Sequence, residues 1–105
     1  MRLMCCGMGL AIDAAVTLGF ALAVTLPQTG NIGGGGFMIV RHAESGDLIA
    51  IDYREKAPNP AIWGMLLDDD GNVDGKLSRY SLIAAGVPGT VAGLAMALEK
   101  YGTLT

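Results

Sequence analysis

The sequence predicts an α+β fold, because helix-like and strand-like segments follow one another along the chain. Residues 11–26 are rich in Ala, Leu and Val and contain no proline, which favours a helix. Residues 37–42 and 48–54 are rich in strand-forming residues and flank a turn signal at residues 44–47, which predicts an antiparallel hairpin. Apolar residues recur at helical spacing over residues 91–100. We therefore predict a buried first helix, the hairpin and a C-terminal helix.

The predicted first helix is apolar on every side. Ile12 and Val16 lie on one face, and Leu18 and Leu22 lie on the opposite face. A helix of this kind is normally buried on several sides, so it needs packing partners. Asp13 interrupts the apolar stretch, and a charge at the centre of a bilayer costs about 3 kcal/mol. A buried core helix is therefore favoured over a membrane span or a signal peptide.

The ends of these elements and the connections between them are predicted from proline, glycine and turn residues. Pro27 ends the first helix, and Gly102 is well placed to cap the C-terminus of the last one. Between the hairpin and the last helix, we predict a short helix at residues 61–67 and an acidic, glycine-containing turn at residues 68–75. Residues 78–85 are ambiguous. No segment has the composition of a linker between two domains.

Composition excludes several classes of function. The chain has 105 residues, of which 51% are hydrophobic and 16% charged, with a net charge of -3. These values exclude a disordered tail and offer no basic face for nucleic acid. Cys5 and Cys6 are adjacent and are the only cysteines, so they provide neither a disulfide framework nor a zinc site. His42 is the only histidine, and we expect it to be exposed at a strand end. We expect no metal and no cofactor.

The acidic run at residues 68–74 suggests a calcium loop, but its spacing is wrong. An EF-hand loop requires glycine at its sixth position and glutamate at its twelfth. In a loop that began at Asp68, those positions would hold Val73 and Arg79. A solvated turn is therefore predicted instead.

Four consecutive glycines at residues 33–36 are the most unusual feature of the sequence. Phosphate-binding loops also use glycine, but they connect a strand to a following helix. Here a predicted helix precedes the glycines and a predicted strand follows them. Two interpretations remain open. The loop passes close to another backbone or adopts positive φ at several residues, or it lines a ligand site.

Arg54 and Thr90 are the single residues that invite a functional interpretation. Arg54 ends the second predicted strand on the same face as Asp52, and its guanidinium can donate two parallel hydrogen bonds to a carboxylate. The alternatives are an ion pair with Asp52 or Glu55, or plain exposure to solvent. Thr90 follows Gly89 and precedes a helix, so we predict that it caps the helix. Nothing beside Thr90 would act as a base for a nucleophile.

Three parts of the chain resemble the gamma-glutamyltransferase family and occur in the order that the family shows. They are DAAV, ALAV and GNIGGGGFM within residues 13–38, IDYREKAP at residues 51–58, and GVPGTVAG and ALEKYGT within residues 86–103. The resemblance covers nearly the whole chain after about residue 11. It is highly specific because all three parts occur together.

The resemblance implies part of the large subunit of an N-terminal-nucleophile hydrolase with an αββα sandwich. In that family a precursor cleaves itself, and the new N-terminal Thr of the small subunit transfers the gamma-glutamyl group of glutathione to water or an amino acid. Arg54, in the matching motif, would bind the α-carboxylate of the glutamyl group. The implied partners are glutathione or another gamma-glutamyl compound and the rest of the precursor. No nucleic acid is expected, and a membrane is not favoured as a partner. The implied location is periplasmic or extracellular.

The chain departs from the family in its length and in its first residues. We expect residues 1–105 to form a single partial domain with an atypical N-terminus at residues 1–10. The nucleophilic Thr belongs to a later region of the family, so no catalytic residue is assigned and the chain alone is expected to be inactive. Two alternatives stay open: a non-catalytic fragment that needs a separately encoded small subunit, and a small membrane-associated protein.

Overall fold

A computed structural model describes residues 7–104, with side chains described from Ala11 onward. The predictions for Cys5, Cys6 and the first residues of the atypical N-terminus lie outside the described residues. The chain forms two compact units. One contains the chain as far as Glu55 together with the chain from Pro88, and the other is Lys56–Val87. The expectation of a single partial domain stays a prediction.

The secondary structure confirms the α+β class and the three principal predicted elements. In chain order the elements are α1 (Gly7–Thr25), β1 (Phe37–Arg41), β2 (Leu48–Asp52), α2 (Gly75–Tyr80), a short 3-10 helix (Leu82–Ala84) and α3 (Thr90–Tyr101). No helix within residues 7–104 has the length and apolar character required to cross a membrane.

Strands β1 and β2 pair antiparallel, as predicted, with Phe37 opposite Asp52 and Arg41 opposite Leu48. Both strands are shorter than predicted. The first ends at Arg41 because the amide of the next residue, His42, donates to the Asp47 carbonyl oxygen at 2.8 Å and closes the turn.

The end of the hairpin away from its turn is extended by one further pair of hydrogen bonds. The Tyr53 amide donates to the Gly36 carbonyl oxygen at 2.9 Å, and the Gly36 amide donates to the Tyr53 carbonyl oxygen at 3.3 Å. Beyond Tyr53, the amide of Arg54 donates to the Asp52 side chain instead of to a partner strand. The predicted second strand therefore stops before Arg54.

A small core lies between α1, one face of the hairpin and α3. Its buried side chains alternate along the strands and recur at helical spacing along the helices, as the sequence patterns predict. Burying an aliphatic side chain of this size stabilises the fold by about 1.5–3 kcal/mol. The members of the core are Ile12, Val16, Val40, Ile51, Leu94 and Ala97.

The burial expected around the whole of α1 is present on one side only in this chain. Ile12 and Val16 are buried, whereas Leu18 is 57% exposed and Val24 is 82% exposed. The outer face of the hairpin is equally open, with Phe37 66% and Ile39 75% exposed. Within the described residues, both elements thus present large apolar surface to solvent.

Asp13 is buried in the first unit, and its carboxylate binds the chain that follows α3. Its carboxylate accepts hydrogen bonds from the Thr103 amide at 2.9 Å, from the Thr103 hydroxyl and from the Leu104 amide at 3.4 Å. The Thr103 side-chain hydrogen bond lowers the pKa of Asp13, and the two backbone amides add to this effect against the opposing effect of desolvation. The charge that interrupts the apolar stretch is therefore satisfied by backbone 90 residues away.

In the second unit, residues 61–67 form turns, so the predicted helix at these residues is wrong. Gly64 adopts φ +83°, which lies outside the helical region and which a side chain would disfavour. Tight turns result, in which the Met65 amide donates to the Ile62 carbonyl oxygen and the Leu67 amide donates to the Gly64 carbonyl oxygen.

The acidic turn is confirmed and leads directly into α2. One Asp68 carboxylate oxygen accepts from the amides of Asp70 and Asn72, at 3.0 and 2.8 Å. Asp74 then caps α2 by accepting from the first-turn amides of Lys76 and Leu77. Because the helix begins at Gly75, the turn is one residue shorter than predicted and the start of the ambiguous segment is helical.

Candidate functional site

Arg54 lies just beyond β2 and directs an accessible side chain away from the core. Its side chain is 61% exposed, and its Nε lies 3.4 Å from Glu55 Oε2. The Arg54 amide donates to Asp52 Oδ1 at 3.0 Å. Of the two predicted ion-pair partners, Glu55 pairs with the Arg54 side chain. Asp52 instead accepts a hydrogen bond from the Arg54 backbone amide. The guanidinium has five N–H donors, so pairing through Nε leaves donors for a second carboxylate.

Gly35 lies directly against the backbone on which Arg54 is carried. A Cβ atom at Gly35 would lie 2.5 Å from the Tyr53 carbonyl oxygen, 2.8 Å from the Glu55 nitrogen and 2.9 Å from the Arg54 carbonyl carbon. No side chain fits at these distances. The interpretation of the glycine run as a close approach to another backbone is therefore confirmed.

The other part of that interpretation, positive φ within the glycine run, is wrong. In the described part of the chain the glycines with positive φ are Gly46, Gly64 and Gly71, all in turns elsewhere. Within the run, Gly35 is needed for its close approach to other backbone rather than for an unusual backbone conformation.

The carbonyl of Gly34 connects the glycine run to the start of α3. It accepts hydrogen bonds from the amides of Gly89 at 2.9 Å and Thr90 at 3.1 Å. The first amides of a helix have no partner within the helix itself, and here a loop carbonyl satisfies two of them. The predicted capping role of Thr90 is therefore wrong, because Gly89 occupies the N-cap position and no side chain caps the helix.

Gly89, which immediately precedes α3, also lies close to the backbone of Tyr53 and Arg54. A Cβ atom at Gly89 would lie 2.8 Å from the Tyr53 carbonyl carbon and 3.1 Å from the Arg54 carbonyl oxygen. Two glycines, one from the run and one from the start of α3, thus pack closely against the same short stretch of backbone. The position of Arg54 is set by backbone contacts that leave no room for a Cβ.

A cavity of about 160 Å³ lies beside this arrangement, and its lining includes Asn31, Gly35, Tyr53 and Thr90. Gly35 of the glycine run therefore borders this cavity as well as the backbone of residues 53–55. Its proposed role in lining a ligand site stays a prediction.

His42 lies at the other end of the hairpin from Arg54. It is partly buried rather than exposed as expected, since it follows β1 inside the closing turn and accepts a hydrogen bond at Nδ1 from the Ser45 amide at 3.4 Å. The structure does not bring His42 together with Arg54.

The sequence suggests Asp52 only as an ion-pair partner of the Arg54 side chain, and it suggests no role for Gly89 in holding Arg54. A signal for Asp52 exists, because an aspartate commonly accepts from the amide two residues further on where a strand gives way to a turn. Gly89 offers no comparable signal, since its requirement comes from a contact with distant backbone.

Comparison with known proteins identifies many relatives. The family model described as Gamma-glutamyltranspeptidase matches residues 7–105. The chain is 58% identical over 96 residues to a glutathione hydrolase proenzyme of Escherichia coli, an alignment that covers 91% of this chain and 16% of that protein. It is 49% identical to the proenzyme of Bacillus subtilis, covering 90% and 16% respectively. The chain thus spans about one sixth of the length of these relatives.

Solved structures agree with the sequence comparison. The crystal structure of Helicobacter pylori gamma-glutamyltranspeptidase superposes with a TM-score of 0.85 at 58% identity, covering 90% of this chain and 27% of that chain. The Pseudomonas nitroreducens gamma-glutamyltranspeptidase complexed with L-DON gives a TM-score of 0.83 at 49% identity, covering 90% and 28%. These similarities do not favour the alternative of a small membrane-associated protein.

Proposed function

The chain belongs to the gamma-glutamyltranspeptidase family, and from that premise we propose that it is a part of an enzyme that cleaves the gamma-glutamyl bond of glutathione. The glutamyl group would pass to water or an amino acid. Three relatives that are 52–58% identical to this chain are named glutathione hydrolase proenzymes, which supports processing of a precursor into subunits. The nucleophilic Thr would come from the small subunit, and the enzyme would act in the periplasm or outside the cell.

The contribution of this segment to the reaction would be recognition of the substrate by Arg54. The observation that carries this proposal is an exposed guanidinium on a backbone held closely by Gly35 and Gly89. A fixed backbone lowers the entropy lost when the arginine binds, and the planar fork of donors matches the α-carboxylate of a glutamyl group.

Glu55 does not prevent this role. The Arg54–Glu55 ion pair is solvent-exposed, and such pairs contribute about 0–1 kcal/mol. A substrate carboxylate that forms two parallel hydrogen bonds in a site closed from water would gain more than that. The substrate can therefore displace or share the contact with Glu55.

The proposed fold of the complete enzyme is an αββα sandwich. The exposed apolar face of the hairpin supports it, because Phe37, Ile39 and Leu48 on that face are 66–75% exposed. A second layer of structure from the rest of the precursor would cover this surface. The exposed sides of α1 would be covered in the same way.

The test uses the complete proenzyme that contains this segment and compares two substrates. Gamma-glutamyl-p-nitroanilide carries the α-carboxylate, and 4-aminobutyryl-p-nitroanilide is the same acyl group without it. For Arg54→Ala we expect kcat/KM for the first substrate to fall about 30- to 150-fold, which corresponds to about 2–3 kcal/mol for a charge-assisted contact. The second substrate should lose less than about threefold, because it lacks the group that Arg54 would bind.

Arg41→Ala is the matched control, because Arg41 is also an exposed arginine of the hairpin but pairs with Leu48 at the opposite end. We expect it to leave the ratio of kcat/KM between the two substrates unchanged. If Arg54→Ala reduced the turnover of both substrates equally, recognition of the α-carboxylate by Arg54 would be ruled out.

A further inference from the structure

Arg54 occupies a place in the fold where the hairpin no longer holds the chain. The last pair of backbone hydrogen bonds joins Tyr53 to Gly36. The next amide, that of Arg54, has no strand partner and is bound by the Asp52 side chain at 3.0 Å. An arginine at a free strand end would otherwise sample several backbone orientations, and its guanidinium would move with them.

We propose that Asp52 is a positioning residue for Arg54, which fixes the backbone orientation from which the guanidinium reaches a substrate carboxylate. This inference rests on the proposed function of Arg54. Asp52 acts through the Arg54 amide and does not itself contact the substrate.

Two kinds of contact hold this stretch of backbone, and they are complementary. Gly35 and Gly89 exclude alternative positions sterically, since they pack against the carbonyl groups of Tyr53 and Arg54. Asp52 adds the directional contact, because a hydrogen bond to an amide depends on the angle at which the N–H is presented. Close packing alone would leave rotation of the Arg54 peptide less restricted.

Replacing Asp52 by Asn or by Glu separates the effect of the acceptor's geometry from the effect of its charge. Asn at residue 52 would keep a carbonyl oxygen at the same distance from the chain and would preserve the hydrogen bond. Glu would keep the charge, but its extra methylene would carry the carboxylate past the amide. Asp52 does not belong to the core between α1, the hairpin and α3, so these replacements leave that core intact.

The experiment measures the ratio of kcat/KM for gamma-glutamyl-p-nitroanilide to that for 4-aminobutyryl-p-nitroanilide in the complete proenzyme. We expect Asp52→Ala and Asp52→Glu each to lower this ratio about fivefold, the effect of losing one net hydrogen bond. The lower ratio should result from a higher KM for gamma-glutamyl-p-nitroanilide, with kcat for that substrate within about twofold of the unaltered enzyme. Asp52→Asn should keep the ratio within about twofold. If Asp52→Ala does not accumulate, the pair Asp52→Glu and Asp52→Asn carries the test.

The contrary outcomes are distinct from failure of the proposed function. Equal loss with both substrates would assign Asp52 a purely structural role and would overturn the inference. So would an unchanged ratio in Asp52→Ala and Asp52→Glu, or a loss in Asp52→Asn as large as in Asp52→Glu. In each of these cases Arg54→Ala would still discriminate between the substrates. If Arg54→Ala does not discriminate either, the proposed function fails and the inference fails with it.

Discussion

Replacing Gly35 by alanine is expected to destabilise the chain, although alanine usually stabilises a position whose φ is not positive. The added Cβ would lie 2.5–2.9 Å from three atoms, all of them backbone atoms of Tyr53, Arg54 and Glu55. Ordinary contacts begin at 3.4 Å. Backbone cannot rotate away as a flexible side chain can, so β2 and the loop must separate.

The magnitude follows from two opposing effects. Overpacking costs about 1–3 kcal/mol, and we expect the upper end here because three backbone atoms are approached at once. Restricting the unfolded chain returns about 0.4–1 kcal/mol. The net result is a loss of about 2 kcal/mol in the free energy of unfolding. Separation of the loop from β2 should also weaken the hydrogen bonds between Gly36 and Tyr53.

Gly34→Ala provides the matched control, because it makes the same chemical change one residue earlier. Its Cβ would have no neighbour closer than 3.5 Å. We expect Gly34→Ala to be neutral or to stabilise the chain by about 0.4–1 kcal/mol. Urea unfolding of the two variants, followed by far-UV circular dichroism, measures the difference between their free energies of unfolding. This difference should be about 3 kcal/mol, the cost of overpacking alone, because both variants restrict the unfolded chain equally. Equal stability of the two variants would show that close approach does not explain the glycine run.

Two further predictions concern Asp13 and Gly93. The pKa of Asp13 is lowered in the folded chain, chiefly by the Thr103 side chain, so its contribution to stability is complete above the ordinary aspartate pKa and is lost as the pH falls through and below that range. The urea midpoint should therefore fall more between about pH 6 and about pH 3 in the unaltered chain than in Asp13→Asn, and parallel pH dependences would contradict this. Gly93→Ala would place a Cβ 2.7 Å from Tyr53 Cδ1 and closer still to the base of that side chain, so we expect a loss of about 2 kcal/mol. Gly75→Ala in α2, with no atom within 4 Å of its Cβ, should instead gain up to about 1 kcal/mol, and a comparable gain in Gly93→Ala would refute the packing argument.

Much of the fold could be predicted because its patterns are local. The helices at α1 and α3 and the pairing of β1 with β2 follow from apolar spacing and from a turn signal between two strands. The division of the hairpin into a buried face and an exposed face also follows from the alternation of its side chains.

The errors occur where a local pattern competes with a special backbone position or a distant contact. Residues 61–67 have a helical composition, but Gly64 adopts positive φ and the segment forms turns. Thr90 occupies a typical capping context, yet it is the first residue of α3, Gly89 is the N-cap, and the Gly34 carbonyl oxygen accepts from the amides of these two residues. Asp74 was a usable signal, since aspartate is a favoured N-cap residue, and it marks the start of α2.

The sequence by itself determined the class of the fold, the family and the arginine that we propose as the substrate contact, because these depend on residue types in a fixed order. It could not decide why residue 35 is glycine, since proximity and positive φ both demand glycine. Only the tertiary structure decided this, by bringing Gly35 against the backbone of Arg54. The same is true of Asp13, whose charge is costly in isolation and is satisfied by the Thr103 hydroxyl and by amides brought from the other end of the chain.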